Sequence, residues 1–228
     1  MLIPTLFQAL TAIAVGAFSH KWRIQMKKYK KITQLSKNRF LNLFKLDALD
    51  RKGNLFEYYF VSRNKTERLK LKTKENRAEG LVIYALLKED PSKIIMIKQY
   101  RYPLDDTIYE LPAGLIEAGE SYEAAAIREM QEETGMTLEI CHEGREELRR
   151  PFFMGAGFTD ESSCTVFGLA VGSATGRLQE ETEWIETIIA DKQEVRRILR
   201  EEKLSVRGAY LLLLFLQSDP EEPFAFLK

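Results

Sequence analysis

Glu129, Glu132 and Glu133 fall within five positions of one another in REMQEETG, the segment from Arg128 to Gly135. On a helix, residues three and four apart share a face, and like charges at that spacing cost about 0.2–0.5 kcal/mol per pair. Either something offsets that repulsion or the face is solvated. Arg128 stands beside the three, and Glu120 lies upstream in a loop bracketed by glycines at 114 and 119. Carboxylates with one arginine and no histidine form a hard oxygen donor set suited to Mg²⁺ or Mn²⁺. Mg²⁺ completes its shell with water and substrate phosphates, so the set points to phosphate-ester or pyrophosphate chemistry. Arg128 can aim one carboxylate through a two-pronged contact.

Such a set needs a rigid helix under it. Ser121 to Thr134 (SYEAAAIREMQEET) contains strong helix formers and no breaker. Ser121 suits the N-cap, Glu123 suits the positive helix start, and Gly135 suits the stop. Ala125, Ile127 and Met130 are expected to face a core. Around this helix the chain reads as strands. NRFLNLFKLDAL and LFEYYFVSR flank a hairpin turn at Asp50–Asn54, and 64–79 reads as loop plus strand. GLVIYALLKED and KIIMIKQYR flank a turn at Asp90-Pro91, the first apolar enough for burial on both faces. Tyr102 to Thr107 reads as a loop and IYELPAG as a strand. TLEICHEG, SCTVFGLAVG and Trp184–Ala190 follow as strands, then helices over Asp191–Glu202 and Val206–Gln217. The second of these helices, Trp184 and Tyr210 are expected in the core. This order of elements indicates an α+β or mixed α/β architecture.

Bulk properties fit a globular chain of 228 residues with 45% hydrophobic and 30% charged residues. Lysines plus arginines equal acidic residues at 34 each, so no net charge draws the chain to nucleic acid. Cys141 and Cys164 are too few for a disulfide framework and fit a reducing compartment. Residues 2–19 (LIPTLFQALTAIAVGAFS) carry no charge and lie near the lower length limit for a membrane span, with basic residues following at Lys21, Arg23, Lys27 and Lys28. Three readings stand for 1–25: a membrane anchor that leaves the rest in the cytoplasm, a non-native start ahead of Met26, or a helix that packs on a partner subunit. The expected organisation is that segment, then a strand-rich domain at 26–77, then the main domain at 78–228.

GLIEAGESYEAAAIREMQEETGM resembles the Nudix box at each fixed position: Gly114, Glu120, Arg128, Glu129, Glu132, Glu133 and Gly135, with apolar Met130 and Met136. The resemblance implies an α+β Nudix fold, a mixed sheet in an α/β/α sandwich, preceded by a small N-terminal antiparallel β domain. Lys98–Arg101 (KQYR) and ELPAGLIEAGES before the box, Pro151 sixteen residues after Gly135, and the loop GFTDE (157–161) resemble the ADP-ribose pyrophosphatase branch. Ala156 departs from that pattern, where the branch often has proline.

The resemblance implies a hydrolase that uses Mg²⁺, or Mn²⁺ in its place, to split ADP-ribose or a related nucleoside diphosphate sugar into AMP and a sugar phosphate. It makes Glu129, Glu133 and the Ala113 carbonyl metal ligands, and Glu132 a ligand or the holder of a metal-bound water. Glu120 supports the site, Arg128 orients the glutamates, and Glu161 is the candidate general base. Arg101 and, second to it, Arg63 are the candidate pyrophosphate contacts, with an exposed strand-end charge the favoured alternative for Arg63. Tyr58 or Phe56 is the candidate for stacking on adenine. A cytoplasmic homodimer is implied as well, with membrane contact through residues 2–19 if these are an anchor. Another nucleotide sugar as substrate, or a non-catalytic nucleotide-sensing module, are the alternatives.

Overall fold

The computed structural model describes residues 27–175 and 182–228, so the segment 1–25 lies outside the described residues. No helix among the described residues is long and apolar enough to cross a membrane. The chain divides into two compact units. One holds the described residues through Thr33 with Phe44–Tyr59; the other holds Gln34–Leu43 with Phe60–Lys228.

The first unit is built on a three-stranded sheet, β1 (Tyr29–Gln34), β2 (Asn42–Leu49) and β3 (Leu55–Ser62), in that spatial order. The β2–β3 turn closes where expected. The Asp50 carboxylate accepts from the backbone N–H groups of Lys52 and Asn54, each at 2.8 Å, and Gly53 supplies φ +87°.

The second unit carries an eight-stranded mixed sheet. Its path runs β11 (Ile185–Asp191), β5 (Asp90–Arg101), β4 (Gly80–Leu87), β10 (Ser162–Val171) and β8 (Thr137–Ile140). Three short strands pair off that path: β6 (Asp106–Glu110) on β5, β7 (Ala113–Leu115) on β4, and β9 (Phe152–Phe153) on β10. β4 and β10 are parallel, with Ser163 opposite Gly80; the other pairs in this sheet are antiparallel. The helices are α1 (Lys70–Thr73), α2 (Tyr122–Thr134), α3 (Lys192–Glu201) and α4 (Val206–Gln217).

Strand alternation splits the core in two. Leu81, Ile83 and Ala85 of β4 pack with Ala125, Ala126 and Met130 of α2. Val82, Tyr84 and Leu86 point the other way and pack with Val195, Ile198, Leu212 and Phe215 of α3 and α4. β4 is thus buried on both faces, as its unbroken apolar run predicts. The architecture is α+β, a mixed sheet with helices on both sides.

Several local expectations are corrected. Residues 64–79 hold no strand but the single turn of α1. The β4–β5 turn falls at Lys88-Glu89, and Asp90 already belongs to β5. IYELPAG is two strands, because the chain leaves β5 for β4 at Leu111-Pro112, and Pro112 spends its carbonyl on the Ile83 N–H at 2.7 Å. Ile127, Trp184 and Tyr210 are exposed rather than core. Ile127 lies two residues from buried Ala125, and Tyr210 two residues from buried Gly208 and Leu212; about 100° of turn per residue carries both outward. Trp184 precedes β11, the edge strand, and stays 70% exposed.

Candidate functional site

The acidic helix forms because its signals agree. Ser121 Oγ accepts from the Ala124 N–H at 3.1 Å, and Gly135 ends α2 at φ +75°. With Ala125, Ala126 and Met130 turned into the core, Glu129 and Glu132 turn toward solvent-accessible space.

Arg128 answers the crowding of the glutamates. Its Nε and Nη2 each donate to Glu120 at 3.1 Å. Its Nη1 donates to Glu129 at 2.9 Å and to Glu132 at 2.8 Å, and Nη2 also reaches the Leu115 carbonyl at 2.9 Å. All five guanidinium N–H groups are engaged, which a lysine could not reproduce. The fork holds the Glu120 carboxyl below its usual pKa and raises that of Arg128.

Glu129 and Glu133 feel the opposite force. Glu133 is 3% exposed and accepts from the Ala113 N–H at 3.0 Å. Burial pushes its pKa well above the usual carboxyl range, against that N–H, and neighbouring Glu129 and Glu183 add to the rise. Burial likewise raises the Glu129 pKa despite Arg128. The Glu129 carboxylate lies directly against Gly114, where a Cβ would fall inside it, so the glycine of the loop is the seat of the glutamate.

These groups line one cavity of about 740 Å³ within the second unit. From α2 it receives Arg128, Glu129, Glu132 and Glu133, and from β7 Ala113, Gly114 and Leu115. Arg101, Arg63 and Glu161 join them. Arg101 donates to Glu110 at 2.6 Å, and Arg63 donates to Glu161 at 3.1 Å. Glu161 closes a loop stitched by Met154 N–H to the Glu161 carbonyl at 2.9 Å, and by Val61 N–H to the Phe158 carbonyl at 2.8 Å. Asp160 of that loop accepts from the Lys70 N–H at 3.1 Å.

Glu120 does not line this cavity. It borders a separate one of about 400 Å³, together with Pro151, and is tied to the site through Arg128 and the Glu117 N–H. Tyr58 and Phe56 lie on β3 in the first unit, both exposed. The sequence reading missed Gln99, Ser163, Glu183, Arg207, Arg39 and Phe40, which also line the larger cavity. One signal was available: Arg207 is the single charge in VRGAYLLLLFLQ, an otherwise apolar helix.

The donor set fits a hard divalent cation. A buried and a half-buried carboxylate with raised pKa, a third beside them and a backbone carbonyl nearby are oxygen ligands whose mutual repulsion a cation would remove. With the Arg128 fork holding Glu129 and Glu132, no three acidic, histidine or cysteine side chains among the described residues close on a single point.

Comparison with known proteins gives the arrangement its context. The chain is 46% identical to the ADP-ribose pyrophosphatase of Bacillus subtilis over 74 residues, 32% of this chain and 36% of that protein. It is 52% identical to the ADP-sugar pyrophosphatase of Mus musculus over 48 residues, 21% of this chain and 22% of that one. The chain therefore spans well under two thirds of the length of these relatives. A crystal structure of an ADP compounds hydrolase superposes with a TM-score of 0.61 at 17% identity, covering 83% of this chain and 93% of its own, and shares the fold. The NUDIX domain model matches residues 77–204, more than half of the 228, so the chain belongs to the NUDIX family.

Proposed function

We propose that the protein hydrolyses the pyrophosphate bond of ADP-ribose, or of a related nucleoside diphosphate sugar, to AMP and a sugar phosphate. Similar proteins include ADP-ribose and ADP-sugar pyrophosphatases, which favours the adenine nucleotide over other bases. The observation that carries the reading is the pair of carboxylates, half-buried Glu129 seated on Gly114 and buried Glu133 held by the Ala113 N–H. Glu129, Glu133, Glu132 and the Ala113 carbonyl are the groups that would hold Mg²⁺ or Mn²⁺. The ion would neutralise pyrophosphate oxygens and lower the pKa of a bound water. Glu161 takes a proton as water oxygen attacks one phosphorus, and the bond from that phosphorus to the bridging oxygen breaks. The departing half leaves with the bridging oxygen as a phosphate. Arg128 and Glu120 are positioning residues that keep Glu129 and Glu132 aimed. Arg101 and Arg63 supply charge to the pyrophosphate, with Arg63 exchanging Glu161 for phosphate oxygen. Tyr58 serves the adenine in a homodimer. Two free thiols suit a cytoplasmic setting.

The test is a panel of ADP-ribose, ADP-glucose, UDP-glucose, GDP-mannose and NADH with Mg²⁺, products resolved by chromatography. ADP-ribose should be split to AMP and ribose 5-phosphate, and Glu133→Gln should lower kcat by at least about a hundredfold, since loss even of a ligand's supporting partner costs 10–100-fold. Preference for UDP- or GDP-sugars would overturn the choice of substrate, and no turnover of any compound would overturn the enzyme reading. Glu161→Gln should lower kcat far more than it raises KM; a change in KM alone would move the base elsewhere.

A further inference from the structure

Five arginines line the large cavity, and three are committed to carboxylates: Arg63 to Glu161, Arg101 to Glu110, and Arg128 to the acidic residues around it. Arg39 is exposed. Arg207 is different. It is half-buried, it donates to Ser163 Oγ at 2.7 Å, and no carboxylate among the described residues comes within 4.0 Å of its nitrogens. Burial pushes its pKa below the usual arginine value, and nearby Arg101 pushes the same way against Glu110 and Glu161. A half-buried cation beside a second cation, with no carboxylate in contact, is suited to an anion.

An independent observation lies on the same cavity. Gln99 is 6% exposed, and its side-chain oxygen Oε1 is buried with no hydrogen-bond partner. Buried acceptors are normally satisfied, so an orphan at a cavity wall asks for a donor. Gln99 and Arg101 point to the same side of β5, two residues apart, and α4 begins against the neighbouring strand, with the Gly208 Cβ direction 3.7 Å from the Glu110 Cα. Gln99, Arg101, Ser163 and Arg207 therefore gather a wanted acceptor and two cations, with no aromatic face among them.

We propose that Gln99 and Arg207 form the subsite for the sugar-phosphate half of the substrate, phosphate oxygens on the Arg207 guanidinium and a sugar hydroxyl donating to Gln99 Oε1. The subsite deepens the ADP-sugar reading above and rests on it for the identity of the substrate. A polyol phosphate matches the corner in charge and in hydroxyl donors, and none of its four residues offers a ring for adenine. Arg207 is a binding residue here and takes no part in the proton transfer assigned to Glu161, which shares the cavity.

The experiment is calorimetric titration of the full chain in EDTA with ribose 5-phosphate, AMP and inorganic phosphate, alongside KM and kcat for ADP-ribose with Mg²⁺. Wild type should bind ribose 5-phosphate more tightly than inorganic phosphate. Arg207→Gln should weaken ribose 5-phosphate about tenfold or more, as expected for losing a charge-assisted hydrogen bond. AMP should shift by less than about threefold, and KM for ADP-ribose should rise while kcat stays within about threefold. Arg207→Lys should recover part of the loss by keeping the charge, and it stands in if the glutamine variant fails to fold. Gln99→Leu should weaken ribose 5-phosphate but not inorganic phosphate. Equal loss of AMP and ribose 5-phosphate, unchanged binding in Arg207→Gln, or no ribose 5-phosphate binding by wild type would overturn the subsite. Absence of ADP-sugar turnover would instead overturn the proposed function, because the binding data are taken without metal.

Discussion

Glu133 shows how a functional charge burdens the fold that carries it. Its burial raises the carboxyl pKa well above the ordinary 4.5, and Glu129 and Glu183 push it further, against the Ala113 N–H. A group that binds its proton more tightly when folded lends stability that is fully present below about pH 4.5. That stability is lost as pH rises through the folded pKa. At neutral pH the metal-free protein therefore carries a penalty that Glu133→Gln should remove, since the amide oxygen can still accept from Ala113. In EDTA near pH 7.5 the variant should melt at or above wild type, each kcal/mol appearing as about 2–4 °C, and the gap should close toward pH 4.5. Added Mg²⁺ should reverse the order by stabilising wild type alone. Scanning calorimetry across pH decides it. A variant less stable than wild type throughout in EDTA would mean that the ionised carboxylate is already compensated without a cation.

The loop-and-helix element ties that residue to the rest of the site, and Gly114 is where the tie is tightest. The atoms nearest a methyl there belong to the end of the Glu129 side chain, which can swing away. Gly114→Ala should therefore leave the melting temperature within a few degrees while displacing a proposed ligand. Misplacement on the ångström scale costs about a hundredfold in rate, so kcat should fall by about that factor. Loss of folding would show that β7 itself depends on the glycine, and full activity would remove Glu129 from the site. The same element explains what could be read in advance. Gly114, Glu120, Arg128, Glu129, Glu132 and Glu133 are local in sequence, and helix period with cap chemistry fixes how they meet. The boundaries of α2, α3 and α4 fell at their Ser121, Asp191 and Ser205 caps for the same reason. Gln99, Ser163 and Arg207 come from three elements far apart in the chain, and only the register of β4 with β5 and β10 brings them to one cavity. No spacing rule encodes that. Trp184 and Tyr210 failed as core residues because aromatic character says nothing about which side of an edge strand or helix is covered.

At the scale of the whole molecule, the described strands of the first unit show more apolar surface than they bury. Its described buried apolar residues are Phe44 and Ala48. β3 meanwhile exposes Leu55 and Tyr59 on one face and Phe56 and Tyr58 on the other. Apolar side chains exposed on both faces of one strand form a surface suited to a partner. Zero net charge offers no long-range repulsion to keep copies apart. We propose that the occupant is a second copy of the chain, which is also the arrangement that would let Tyr58 serve a nucleotide. Light scattering on the eluting protein at about 50 µM should give twice the 26.4 kDa chain mass. Leu55→Lys with Tyr59→Lys should return the mass of one chain and raise KM for ADP-ribose while leaving Mg²⁺-dependent stabilisation in place, because the acidic residues belong entirely to the second unit. A monomeric wild type, or a double variant that stays dimeric with unchanged KM, would separate the strand face from both assembly and nucleotide binding.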